Sequence, residues 1–228
     1  ERIQNTDSYW CPSPFHLYCA YPFISSLMRH SLITASLFLS FSLAACSVDT
    51  TGLSPESSRV PEGNPDAPVT VMEFADLQCP ACKSSHEFIN KQLISKYNGN
   101  IRFEFKHFPL QALHTFALEA AQASECAADQ GKFWDFINLT YAEQDALSSS
   151  QLRTWAKKLS LDTALFDRCV RSGIKKDTVL ADYALGQSKD VNSTPTYFVN
   201  NTKITSNTLE EITAAIDAIL DEKRSVPL

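Results

Sequence analysis

Apolar positions along this chain change period several times, and each change predicts an element. Val69, Val71, Met72 and Phe74 form a short β-branched run with Thr70 and Glu73, the pattern of a buried strand over 69–74. Phe88, Ile89, Leu93, Ile94 and Tyr97 then recur at helical spacing, which predicts a helix over 80–97. Asn98-Gly99-Asn100 reads as a turn into a second strand over 101–106. Strand, helix and strand in that order make a βαβ unit, with parallel strands and a right-handed crossover.

Helical periodicity dominates the middle of the chain. Alanines and leucines over 112–130 predict a helix ending at Gly131, a C′ residue. Phe133, Trp134, Phe136, Ile137 and Tyr141 mark the next helix, and these aromatics read as core. Ser148 to Ser150 cap a helix running to Leu159, Asp162 caps another that ends at Gly173, and a further helix spans 177–187. Strands return over 196–199 and 203–205 around Asn200-Asn201-Thr202, a hairpin signal. Thr208-Leu209-Glu210-Glu211 has the form of a capping box and opens an amphipathic helix with Leu209, Ile212, Ile216, Ile219 and Leu220 on one face. The fold class is therefore α/β, in the order β-α-β, helical insert, β-β-α, which is a thioredoxin fold interrupted by an all-helical domain. Residues 65–110 and 188–224 are assigned to the thioredoxin fold and 111–187 to the insertion.

Composition narrows the possibilities. At 228 residues the chain suits one domain with an insertion, or two small ones. With 26 acidic and 20 basic residues, a net charge of −6 and no basic block, nucleic acid is not an expected partner. Met28-Arg29-His30 followed by an apolar run to Leu43 has the layout of an export signal, too short for a comfortable membrane span. It ends in Leu43-Ala44-Ala45-Cys46, which resembles a lipobox and makes Cys46 the expected lipidation site. A plain cleaved signal with an incidental cysteine is the alternative. Residues 1–27 show no period and are expected to be a non-native upstream extension. Cys11 and Cys19 leave a small disulfide-bearing extension as the other possibility. Residues 47–64, rich in Ser, Thr, Pro and Gly, read as a flexible tether.

Seven cysteines thus reduce to four in the folded region, Cys79, Cys82, Cys126 and Cys169, an even number that suits an oxidising compartment. Cys79-Pro80-Ala81-Cys82 falls where the first strand hands over to the first helix. Cys79 is placed as N-cap, with Pro80 at the first helical position, where its missing N–H costs nothing. Free amides and the positive end of the helix dipole would stabilise a Cys79 thiolate. Two thiols three residues apart can close a small disulfide, and a low-pKa thiol is a good leaving group. This is the signature of dithiol–disulfide exchange. A structural disulfide, or half of a zinc site, is the alternative reading of the same residues.

The stretch from Gly63 through Glu73-Phe74 to Cys79-Pro80-Ala81-Cys82 resembles the DsbA-like thioredoxin family of bacterial cell envelopes. The resemblance covers residues 62–221, specific at the strand-to-CxxC junction and looser through the helices. It implies that Cys79 is the attacking or attacked cysteine and Cys82 the resolving one, with both catalytic. It implies that Thr194-Pro195 is cis, packs beside the cysteines and binds substrate. From sequence alone an ordinary trans bond is the commoner case. Glu73 matches an acidic residue found beneath the active site in the family. A buried carboxylate there could take the proton that Cys82 loses, or it could be a strand-end acid reaching solvent. Cys126 and Cys169 fall on two helices of the insertion. Some family members carry a second disulfide in this region, and two free buried thiols are the other option. His86, His107 and His114 lack metal-ligand spacing and read as helix-surface or loop residues.

The implied activity is disulfide introduction into reduced exported client proteins, without a cofactor, by a monomer on a lipid anchor. A membrane quinone-linked oxidase is the implied partner for resetting the pair. An isomerase or reductase is the alternative within the same chemistry, although a dimerisation module has no room between Cys46 and Pro68. A copper or zinc carrier built on Cys79 and Cys82 is the alternative outside it.

Overall fold

The computed structural model describes residues 48–225, so Cys46, the leader over 28–46 and the stretch 1–27 lie outside the described residues. A five-stranded sheet has the order β1-β3-β2-β4-β5. Its strands are β1 (Glu62–Gly63), β2 (Val69–Ala75), β3 (Ile101–His107), β4 (Thr196–Val199) and β5 (Thr202–Lys203). β2 is central. It pairs in parallel with β3 from Val69↔Ile101 to Ala75↔His107, and antiparallel with β4 from Val71↔Val199 to Phe74↔Thr196.

The crossover from β2 to β3 is a single helical rod in three parts: α1 (Pro80–Ser85), a π-helical turn over His86–Asn90, and α2 (Lys91–Lys96). Between β3 and β4 lie α3 (Ala117–Ala128), α4 (Phe133–Ala142), a 3₁₀ turn over Gln144–Ala146, α5 (Ser149–Lys158), α6 (Thr163–Ser172) and α7 (Lys176–Ser188). α8 (Leu209–Ser225) closes the fold. This is the expected α/β architecture with its helical insertion.

Local chemistry explains most boundaries. The Asp162 carboxylate caps α6 by accepting from the amides of Ala164 and Leu165 at 2.9 and 3.0 Å, and Gly173 ends it in the left-handed region. Three boundaries differ from the sequence pattern. The helix expected from residue 112 begins at Ala117, because tertiary bonds claim the preceding polar groups. The Asp76 carboxylate accepts from the Leu110 amide and from His114 Nδ1, each at 2.8 Å, and Gln78 Oε1 accepts from the Phe116 amide at 2.7 Å. The hairpin turn is the two-residue pair Asn200-Asn201, both with positive φ, so β5 starts at Thr202. Glu211 does not reach back to Thr208 as a capping box requires. Its carboxylate accepts from the amides of Thr205 and Ser206 at 3.0 and 2.7 Å, while the Thr208 hydroxyl accepts from the Glu211 amide at 3.3 Å.

Two cores flank the site. Val69, Val71, Leu93, Tyr97, Ile101 and Phe103 pack with Ile212 and Ile216 of α8. Each fully buried isoleucine is worth roughly 1.5–3 kcal/mol. The second core runs without interruption from Cys79, Cys82, Leu77 and Phe105 into the insertion, around Phe136, Ile137 and Trp155. Phe133 and Phe136 are buried as expected.

The stretch from 48 to 64, expected as a loose tether, is tied to the fold by polar contacts. Lys175 Nζ, fully buried, donates to the Glu56 carbonyl at 2.5 Å and to Asp129 at 2.7 Å, and Thr178 bonds the Pro55 carbonyl at 2.6 Å. Arg59 Nη1 lies 3.0 Å from Glu125 and 2.7 Å from Asp182, and Trp134 Nε1 donates to the Val60 carbonyl at 2.9 Å. Burial pushes the Glu125 carboxyl up, but His107, Arg59 and Ser57 outweigh it and hold it at about 2. A strap of ordinary loop composition is thereby converted into fixed structure.

Candidate active site

β2 ends at Ala75, and three residues later the chain turns into α1 with Cys79 as N-cap and Pro80 in the first turn. The turn is built on Asp76. Its carbonyl accepts from the Cys79 amide at 3.1 Å, and its own amide donates to Cys82 Sγ at 3.4 Å. Its carboxylate holds the Gln78 amide at 2.7 Å as well as Leu110 and His114. One residue therefore holds the Cys79 backbone and the Cys82 sulfur through its own backbone, and ties the following loop to them through its side chain.

Cys79 and Cys82 are both free thiols. Cys82 is fully buried, and Cys79 retains 8% exposure, so the tip cysteine is far more covered than its place at a helix end suggested. Cover comes from two directions. Cys79 Sγ bonds the Thr194 carbonyl at 3.6 Å. Gln144 of the insertion donates to the carbonyls of Cys79 and Leu77, both at 3.0 Å. The Thr194-Pro195 peptide bond is cis.

The two thiols are driven apart electrostatically. The Cys82 S–H donates to Cys79, and despite burial this bond, with the Thr194 side chain and the amides of Cys82 and Ala81, lowers the Cys79 thiol to about 5. Burial pushes the Cys82 thiol well up, helped by the hydrogen bond it gives to Cys79 and by the charge of Glu73. Near neutral pH the pair is one thiolate and one thiol.

Glu73 is fully buried on β2, directly opposite Tyr197 of β4. Tyr197 Oη lies 2.9 Å from Glu73 Oε1 and 2.6 Å from Asn90 Oδ1, and Asn90 Nδ2 donates to Glu73 Oε2 at 2.8 Å. Ser85 Oγ lies 2.6 Å from Tyr197 Oη. Burial raises the Glu73 carboxyl to about 7, against the lowering effect of the bonds from Tyr197 and Asn90. The solvent-reaching alternative for this acid does not apply.

Cys79, Cys82, Glu73, Thr194 and Pro195 thus converge at the carboxyl end of the central strand. Cys126 and Cys169 do not join them. They are bonded to each other, with Cα atoms 5.9 Å apart, and link α3 to α6. His86 and His107 depart from their expected surface or loop positions, while His114 lies in the loop before α3 as expected. His107 is buried on β3, bonded to Glu125 at 3.1 Å, because β3 alternates and His107 shares the inward face of Phe103 and Phe105. His86 is buried against the Tyr141 ring at 4.9 Å and bonds Asn138 at 2.7 Å, and His114 is half-buried on Asp76. Among the described residues, no group of three or more His, Cys, Asp or Glu side chains is arranged to hold a metal.

Sequence reasoning missed Asp76, Gln144, Asn90, Tyr197 and Ser85. Only Asp76 carried a local signal, an acid three residues before Cys79 at the strand-to-helix turn.

Comparison with known proteins gives a consistent fold. A family model described as thioredoxin matches residues 56–218. BdbD from Bacillus subtilis, in its oxidised crystal structure, is 26% identical with a TM-score of 0.66, covering 72% of this chain and 94% of that one. Wolbachia pipientis alpha-DsbA1 is 24% identical with a TM-score of 0.64, covering 75% and 94%. Among curated proteins, the Na(+)/H(+) antiporter NhaA 1 of Mycolicibacterium gilvum is 35% identical over 150 residues, 65% of this chain and 24% of that protein. NhaA 3 of Salinispora tropica is 38% identical over 143 residues, 60% of this chain and 21% of that protein. The chain spans less than a quarter of the length of these two curated relatives.

Proposed function

The chain belongs to the thioredoxin family, and from that premise we propose that it is a DsbA-like protein disulfide oxidoreductase that oxidises exported client proteins. One observation carries the reading. The less buried sulfur, at the helix tip, is the stable thiolate, held at about 5, while the fully buried sulfur beneath it is pushed towards the protonated form. A pair with that asymmetry favours its reduced state, and so oxidises others.

The steps balance as follows. With Cys79 and Cys82 joined, a client thiolate attacks Cys79 Sγ, the partner that retains exposure. The Cys79–Cys82 bond breaks, and Cys82 leaves with the electron pair and takes a proton from Glu73. A second client thiolate attacks the client sulfur of the mixed disulfide and expels Cys79 as its stabilised thiolate. The client has lost two electrons and two protons. The electrons remain on the two cysteines, both client protons go to solvent as its thiols ionise, and Glu73 is left ionised until it takes up a proton. Resetting the pair runs the same exchange in reverse on a membrane quinone-linked oxidase, with Glu73 accepting the Cys82 proton.

Location in the bacterial envelope, with a lipid on Cys46, is supported by the apolar run ending in Leu43-Ala44-Ala45-Cys46. A monomer is supported by the short distance in sequence between Cys46 and β2. Thr194 and Pro195, beside Cys79, are the proposed contact for the client backbone.

Cys82→Ala tests the roles of the two cysteines. Clients should accumulate as mixed disulfides on Cys79. Normal client oxidation without any such adduct would overturn the assignment.

A further inference from the structure

The hydrogen-bond ring beneath the cysteines has a fixed demand for protons. Four short contacts join its members: Glu73 to Tyr197, Tyr197 to Asn90, Asn90 to Glu73, and Ser85 to Tyr197. Each contact needs one hydrogen. The tyrosine and serine hydroxyls supply one apiece, and the Asn90 amide supplies one whichever way round its oxygen and nitrogen lie. That makes three hydrogens for four contacts while Glu73 is ionised, and four for four once it is protonated. A buried oxygen pair without a hydrogen between it is costly, so the ring selects the acid form.

Exposure gives the ring a direction. Glu73 and Tyr197 are fully buried and Asn90 is 1% exposed, whereas Ser85 keeps 6%. Ser85 is the last residue of α1, one turn beyond Cys82. The least buried member of the network is therefore a residue with a hydroxyl, and a second hydroxyl, Tyr197, stands between it and the carboxyl group. Hydroxyls pass a proton by accepting one and releasing another, which an amide such as Asn90 does not readily do. The other titratable groups facing Glu73 are Cys79 and Cys82 on α1 and Tyr141 on α4.

The geometry points to Ser85 and Tyr197 as a two-hydroxyl proton relay that recharges Glu73 from solvent in each exchange cycle, with Asn90 completing the ring that keeps the acid form ready. This rests on the exchange reaction proposed above. When Cys82 leaves as a thiolate and takes the Glu73 proton, Tyr197 donates its hydroxyl proton to Glu73 Oε1 and accepts one from Ser85. Ser85 is then refilled from water. On resetting, each transfer reverses. No bond other than O–H and S–H is made or broken in these steps.

The test compares Ser85→Ala and Ser85→Thr with the unaltered protein, using a reduced model peptide as client. Ser85→Ala removes the outer hydroxyl and leaves the ring of Glu73, Tyr197 and Asn90 intact. It should slow Cys82 protonation or deprotonation by roughly 10- to 100-fold, at or below the range for a positioned acid–base group. The solvent deuterium isotope effect on that step should change with it, while the midpoint of a ¹³C-labelled Glu73 carboxyl stays put. Ser85→Thr, which keeps a hydroxyl, should restore rate and isotope effect. Tyr197→Phe should show at least the same slowing. Equal rates and isotope effects in Ser85→Ala and the unaltered protein across the pH range would overturn the relay. So would slowing that Ser85→Thr does not restore. Loss of all exchange activity would instead be the mark of Cys79→Ser, so failure of the relay and failure of the reaction are told apart.

Discussion

Lowering the pH from about 7 to about 4 should destabilise the reduced protein relative to the oxidised one, and the size of the effect follows from the Cys79 environment. In the unfolded chain this thiol titrates near 8.5. In the folded, reduced protein it is lowered to about 5 by its bonds from Cys82 and Thr194 and from the first-turn amides. Because the folded value is depressed, the stabilisation is fully present above the unfolded value and is lost as the pH falls through 5. Two pH units separate neutrality from that midpoint, so at pH 7 the thiolate contributes about 3 kcal/mol, nearly all of it gone by pH 4. Cys82, pushed up by burial, stays protonated throughout and adds nothing. Glu73 and the other carboxylates titrate in both redox forms and largely cancel in the difference. Denaturant unfolding of the two forms at both pH values measures it. The gap between them should shrink by about 3 kcal/mol on acidification, equivalent to about 60 mV in the couple. A gap unchanged between the two pH values, or a Cys79 absorbance titration centred near 8.5, would refute the claim that the folded site holds a thiolate.

Glu73→Gln should raise stability at pH 8 but much less at pH 4. The acid is raised from 4.5 to about 7, so the native state loses stability as the pH rises between those values, and glutamine removes a penalty of roughly 3 kcal/mol. Equal effects at both pH values in urea unfolding would contradict a buried acid at this position. Cys126→Ala with Cys169→Ala opens a link between residues 43 apart, which the chain-entropy relation values at about 4 kcal/mol. The denaturation midpoint should fall while Cys79 alkylation at neutral pH stays unchanged, and altered alkylation would couple the disulfide to the site. Gly186→Ala brings a methyl within 2.6 Å of the Phe108 ring and 3.0 Å of Phe74, on the helix packed behind the sheet. A loss of 1–3 kcal/mol, on the order expected for overpacking, should appear in thermal unfolding, and an unchanged melting temperature would mean that the rings yield freely.

Legibility in the sequence followed the range of the interactions. Cys79-Pro80-Ala81-Cys82 could be set at a strand-to-helix junction because the signals are local: a β-branched run before it, helical spacing after it, and a proline at the first helical position. The caps at Ser148 and Asp162 and the end at Gly173 were readable for the same reason. His107 was readable but missed, since strict alternation along β3 puts it on the face of Phe103 and Phe105. The Glu73 ring was not readable. Tyr197 lies 124 residues from Glu73 and meets it through the register of β4 against β2, while Asn90, 17 residues away, comes from the π-helical turn of the crossover. Arg59, Glu125 and Asp182 meet across similar spans, so a loop of ordinary composition gave no sign of being clamped. Cys79 proved more covered than expected because Gln144 and Thr194 arrive from 65 and 115 residues away.

Those separations bear on the newborn chain. Synthesis delivers the amino-terminal end first, so both thiols emerge well before the segment 194–197 that supplies Thr194 and Tyr197. Until that segment docks, the nascent polypeptide carries both cysteines without the Thr194 contact or the tyrosine beneath. The full environment of the pair is therefore assembled only in the closing moments of maturation.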